Sequence, residues 1–144
     1  MRAVLQRVSE ASVTSDSGRV STGPGLVALV AVKDSDTGED ARYLAGKTVN
    51  LRIFPDSEGK LNLSLLDTGG EVMAVSQFTL YGDCRRGRRP GFSRCAKPDK
   101  GLEVFNIYVS EIKKNGVKVK AGFFGKHMDL ALINDGPVTL ILES

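Results

Sequence analysis

The chain has no tryptophan, a single histidine (His127) and two cysteines, Cys84 and Cys95. Two isolated cysteines supply neither a disulfide framework nor a structural zinc site, and one histidine cannot complete a ligand set. No metal is therefore expected, and no cofactor. A lone histidine also weakens any reading built on a nucleophile with a histidine base. No apolar run is long enough to cross a bilayer. The opening residues Met1-Arg2-Ala3-Val4-Leu5 lack the apolar stretch and cleavage site of a secretory leader. The expectation is a cytoplasmic protein with reduced thiols and no membrane partner.

What is present is ordinary globular material. A chain of 144 residues, 41% hydrophobic and 26% charged, suits one domain over residues 1–144 with a core that needs no staples. The net charge of +3 is mild but uneven: Arg85, Arg86, Arg88, Arg89, Arg94, Lys97 and Lys100 fall within one short segment. Such a cluster fits a phosphate backbone, and a solvated basic loop is the plainer alternative.

Alternation predicts a long first strand over residues 2–14, a return strand over 19–22, and a strand over 26–32 that is apolar throughout and so covered on both faces. Arg7, in the first strand, reads as a rim residue, with a buried guanidinium holding carbonyls as the alternative. Thr37 and Asp40 form a capping-box pattern ahead of a helix over about 39–50. Residues 51–54 and 61–65 read as a strand pair around the turn 56–60, and 71–80 as a buried strand. Residues 81–98 have no periodicity and read as a long functional loop. A second helix runs from Pro98 to a cap at Gly116, followed by strands at 117–121, 128–133 and 138–142, the last two joined through Asn134-Asp135-Gly136-Pro137. The succession predicts an α+β fold: a mainly antiparallel curved sheet or open barrel with two packed helices.

Two stretches look like site and not scaffold. Ser76-Gln77-Phe78-Thr79 interrupts an apolar strand with two hydroxyls and an amide. Buried there they need partners; on an edge strand they could face solvent. Asn134-Asp135-Gly136-Pro137-Val138-Thr139 is the second. With Gln6-Arg7-Val8, and with Asn50-Leu51-Arg52-Ile53-Phe54, Asn62-Leu63-Ser64-Leu65-Leu66 and Arg88-Arg89-Pro90 in the same order, the chain resembles the D-aminoacyl-tRNA deacylase family over nearly its whole length.

That resemblance implies a homodimer that hydrolyses the ester between a D-amino acid, or mischarged glycine, and the terminal adenosine of tRNA. It also implies that Gly136-Pro137 has a cis peptide bond and reaches across the dimer. There its carbonyls would meet the substrate's α-amino group and leave no room for an L side chain. Ser76, Gln77, Phe78 and Thr79 would form the catalytic segment. Gly136, Pro137, Asn134, Arg7 and Met128 would bind substrate, and Arg85, Arg86, Arg88 and Arg89 would contact tRNA.

Thr79 without an adjacent base is a poor nucleophile. The expected chemistry is oxyanion stabilisation by backbone N–H groups near Phe78 and Thr79, with water attacking beside the RNA 2′-hydroxyl. Arg7 would hold the Gly136-Pro137 carbonyls through its planar fork. Two departures from the family pattern stand out: Gly91, where serine is common, and Lys126, where a small residue is usual. The rival readings are a non-catalytic RNA-binding module of the same fold and a general esterase of small substrates.

Overall fold

The computed structural model describes residues 1–144. Its framework is β1 (Arg2–Ser15), a long strand laddered on both edges. On one edge it pairs antiparallel with β2 (Gly18–Thr22) and β3 (Gly25–Ala31), and on the other with β8 (Asp129–Glu143). β3 then pairs in parallel with β6 (Glu71–Ser76), and β6 in parallel with β7 (Val119–Ala121). The sheet is thus curved and mixed. A two-stranded hairpin, β4 (Phe54–Pro55) with β5 (Leu61–Leu63), lies outside it.

Three helices accompany the sheet, one more than the two expected. α1 (Gly38–Asn50) starts at the Thr37–Asp40 capping box, where the Thr37 backbone N–H holds the Asp40 carboxyl down at about 2. α2 (Leu65–Thr68) is a single turn that a second box, Ser64 with Asp67, starts inside what reads as strand 61–65. The serine cap diverts the chain after Leu63. α3 (Pro98–Lys114) begins with proline in its first turn and ends in Lys113 and Lys114, which suit the helix dipole.

The central strands are apolar on both faces and feed two cores. Leu26, Ala28 and Val30 of β3, with Val72 and Ala74 of β6, join α1 and α3 in the main core. Val27, Met73 and Val75 point the other way, into a smaller core against Phe123, Met128, Leu130 and Leu132. Gly25 opens β3 at φ +157°, and a Cβ there would lie 1.9 Å from the Glu71 carbonyl oxygen. Only glycine lets the parallel pair begin so close.

Inside the main core Thr48 Oγ1 donates to the Leu44 carbonyl (2.8 Å) and lies 2.9 Å from the Tyr108 hydroxyl. The single threonine proton is committed, so Tyr108 donates. Tyr108→Phe should cost about 1 kcal/mol, since it removes one buried hydrogen bond and leaves the Thr48 donor satisfied. Urea unfolding of the two proteins checks this.

Two strand expectations are corrected. β6 ends at Ser76 and not at 80, because its partner β3 pairs only as far as Val30 opposite Ser76. The chain turns there into a one-turn 3-10 helix, Phe78–Tyr81. Residues 128–133 and 138–142 are not separate strands but parts of the single strand β8. Its register jumps between Gln6↔Thr139 and Val8↔Asn134, so that Arg7 alone faces Asp135 to Val138. That is a large bulge, and it carries the Asp-Gly-Pro tip.

Candidate active site

β3, β6 and β7 run parallel, and the chain just beyond each C-terminal end contributes to one hollow of about 610 Å3. Val32 follows β3, Ser76 and Gln77 end β6, and Phe124 to Met128 follow β7. Ligand crevices lie outside the carboxyl ends of parallel strands for this topological reason: the loops diverge there. Phe92, Cys95 and Ala96 of the basic segment close the remaining side. A larger hollow of about 720 Å3 lies over β1, β2 and β8 beside Glu10 and Arg19, and none of the residues singled out above lines it.

Ser76 and Gln77 are half-buried and Phe78 and Thr79 exposed, so the polar segment is not sealed in the core. The Gln77 N–H extends the ladder by one bond to the Val30 carbonyl (2.8 Å), and its side-chain amide donates to Thr79 Oγ1 (2.6 Å). The Thr79 hydroxyl is therefore occupied by an amide donor, not activated by a base. Phe78 leans into the pocket, edge-on to Phe92 with ring centres 5.1 Å apart. The Cys95 thiol donates to the Phe78 carbonyl (3.4 Å), and burial pushes that thiol's pKa up. Met128 lines the same pocket, its sulfur accepting from the Phe123 N–H (3.2 Å).

Lys126, the departure from the family pattern noted above, and His127 both line this pocket, and Lys126 is its only full charge. Lys126 Nζ stands 4.0 Å from the exposed Asp16 carboxylate, a loose contact. Their place on the loop after β7 depended on which strands run parallel, and no local pattern signals that.

The second group assembles at the β8 bulge. Arg7 is buried, at 7% exposure, and not on the rim. Its Nη1 donates to the Ile53 carbonyl (2.7 Å), and its Nε lies 3.0 Å from the Asp135 carboxylate at an angle that makes an ion pair and not a hydrogen bond. The Asn134 amide bridges the bulge, donating to the Arg7 carbonyl (3.1 Å) and the Val138 carbonyl (3.0 Å). The Gly136–Pro137 bond is cis, and Gly136 has φ +122°. Arg7 thus supports the tip through Asp135 and Ile53. None of Arg7, Asn134, Gly136 and Pro137 lines the pocket that holds Ser76, Gln77, Phe78 and Met128.

The basic segment is a closed loop. Asp83 and Gly91 exchange backbone hydrogen bonds (2.7 and 2.9 Å), which presents Arg86, Arg88 and Arg89 at an exposed tip. Arg85 is committed to Asp83 through two bonds (2.9 and 2.6 Å), and holds that carboxyl well below the usual range. Both cysteines are free, with Cys84 exposed. No helix is long and apolar enough to cross a membrane.

The family model for D-Tyr-tRNA(Tyr) deacylase matches residues 4–143. The chain belongs to that family. Among its curated relatives, a "D-aminoacyl-tRNA deacylase" of Bacillus velezensis is 54% identical over 147 residues, covering all of this chain and 99% of the relative. A protein of the same name from a Geobacillus species is 54% identical over 145 residues, covering 100% and 95%. A solved structure described as "c-Myc DNA Unwinding Element Binding Protein" superposes with TM-score 0.92 at 34% identity, covering 100% of this chain and 99% of that one. A probable eukaryotic D-amino acid tRNA deacylase gives TM-score 0.87 at 20% identity, covering 99% and 98%, which shows the shared fold. As a member of the deacylase family the protein is an enzyme, a hydrolase acting on ester bonds.

Proposed function

We propose that this deacylase hydrolyses the ester of D-aminoacyl-tRNA, and of glycyl-tRNA charged in error, in the cytoplasm, and that one domain spanning residues 1–144 carries the activity. The observation behind this reading is the pocket at the ends of β3, β6 and β7. It gathers Ser76, Gln77 and Phe78 with Met128, and the side-chain hydrogen bond of the Thr79 hydroxyl is to the Gln77 amide and not to His127. The 54%-identical relatives bear the corresponding name.

Backbone N–H groups at the first turn of the Phe78–Tyr81 helix have no partner within that helix, and they are the donors for a developing oxyanion. Gln77 orients the ester or the ribose. Water attacks, assisted by the RNA 2′-hydroxyl. The free tRNA and the amino acid leave.

The tip at Gly136-Pro137 supplies the chiral filter from a second copy of the chain. Two features support a homodimer. The tip does not line the Ser76–Gln77–Phe78 pocket of its own protomer, and the strand that carries it exposes large apolar side chains, Ile133 at 55% and Ile141 at 67%. Backbone carbonyls at the tip would meet the α-amino group of a D residue and exclude an L side chain without reading side-chain identity. Many D-amino acids would then be substrates. Arg86, Arg88 and Arg89, exposed and outside any ion pair, contact tRNA phosphates, which position without reading sequence.

The deciding experiment is release of tyrosine from D-tyrosyl-tRNA and L-tyrosyl-tRNA by the purified protein. Loss of the D form alone supports the enzyme and its filter together, and equal loss of both removes the filter. Binding of tRNA without any turnover would favour the nucleic-acid-binding reading suggested by the name of one solved relative. Thr79→Ala should keep at least about a tenth of wild-type kcat/KM, whereas removal of a true nucleophile costs about 10^4-fold or more.

A further inference from the structure

A further hollow, of about 500 Å3, lies at the C-terminal end of the Phe78–Tyr81 helix, around Tyr81 with Arg2, Asp83, Arg85 and Arg94. Two guanidiniums face the Tyr81 ring, Arg2 at 5.0 Å and Arg94 at 5.7 Å from its centre. Their commitments differ. Arg2 is engaged with Glu143 and with the Leu80 carbonyl. Arg85 is engaged with Asp83. Arg94 forms no ion pair, the nearby Asp83 carboxylate being held by Arg85, and its backbone is fixed: its carbonyl accepts from the Asp34 N–H (3.2 Å), and two residues on Ala96 donates to Val32 (3.0 Å).

A pre-positioned cation without an acceptor is an anion site in waiting. Tyr81 adds a donor, for burial pushes its hydroxyl up to about 12 and keeps the proton on it at any working pH. Phe78 belongs to the first pocket and Tyr81 to the second. Three steps of a 3-10 helix separate them, about 6 Å along its axis. A strand whose terminal ribose sits in the first pocket has its next phosphodiester within reach of the second.

Resting on the deacylase reading above, we propose that Arg94 and Tyr81 form a binding site for the phosphodiester that joins the last two nucleotides of the substrate's 3′ end. It positions the terminal ester and takes no part in bond breaking. The site reads charge, not base identity, so it is compatible with any tRNA.

The test compares a short RNA ending in CCA with the same RNA carrying an uncharged methylphosphonate at its last linkage, binding being measured by fluorescence anisotropy. Wild-type protein should prefer the phosphodiester about tenfold. Arg94→Gln should abolish that preference and lower the salt dependence of binding by about one phosphate contact, while Arg94→Lys recovers part of it. On D-tyrosyl-tRNA, Arg94→Gln should raise KM with kcat nearly unchanged. Full preference in Arg94→Gln overturns the site, as does competition by inorganic phosphate with no discrimination between the two RNAs. If the RNAs are discriminated but no D-tyrosyl-tRNA is hydrolysed, the binding site stands and the deacylase reading falls.

Discussion

Asp36→Ala is expected to destabilise the protein by about 3–5 kcal/mol, because it breaks a buried ion pair by removing one partner. The Met1 ammonium and the Asp36 carboxylate are both fully buried, 2.7 Å apart. Asp36 also accepts from the Lys33 backbone N–H (2.7 Å), so it ties the start of β1 to the turn before α1. After truncation the ammonium keeps only the Ser144 hydroxyl (2.5 Å) and stays out of water. An exposed pair such as Lys60 with Glu58 would contribute at most about 1 kcal/mol by comparison. Urea unfolding at constant m-value measures the loss. A change below about 1 kcal/mol would mean that the freed ammonium regains solvent.

Gly136→Ala should reduce kcat/KM on D-tyrosyl-tRNA by about 100-fold or more, the usual consequence of moving a positioning element by an ångström. An added Cβ would stand 2.9 Å from the Val138 backbone nitrogen and Cγ2 and 3.0 Å from Arg7 Nη2, at a φ of +122° that L side chains rarely adopt. Neither neighbour yields easily, since Arg7 is anchored on Ile53 and Val138 on Asn134. The tip must move. Matched assays on D- and L-tyrosyl-tRNA should show D activity falling and discrimination narrowing. Unchanged discrimination would remove Gly136-Pro137 from the chiral filter. The stability loss should stay near about 1–3 kcal/mol, so circular dichroism can separate misfolding from a displaced tip.

Much of this was legible in the residues, for identifiable reasons. The capping pattern at Thr37 and Asp40, and the proline and glycine that bracket α3, depend only on neighbours a few positions away, and they gave the two long helices. The polar segment after Val75 stood out because it breaks an apolar run, although its conformation did not: a strand ends where its partners end, and that is a property of β3. Arg7 reads as a rim residue because a lone guanidinium in an alternating strand normally is one. It is buried because Ile53 and Asp135, distant in sequence, supply a carbonyl acceptor and a counter-charge. The same holds for Lys126, His127 and the Arg94–Tyr81 contact, which only the folded path brings beside the helix at Phe78.

The bulge that carries Gly136 has a consequence for the whole sheet. Ala3 and Leu5 of β1 belong to the helix-side core, whereas Ala11 and Val13, of the same parity, belong to the opposite one. β8 behaves likewise, with Val138 and Leu142 packed on the first core and Leu130 and Leu132 on the second. Same-parity residues of an uninterrupted strand share a face, so both strands turn over between these points. From Ala11↔Leu132 to Gln6↔Thr139, five steps along β1 correspond to seven along β8. β8 turns over at the tip, and β1 at the adjoining irregularity between Val8 and Glu10, since Val8 already faces the second core. Lengthening or shortening the tip by an odd number of residues would turn half of β8 inside out, and an even change would leave both halves seated.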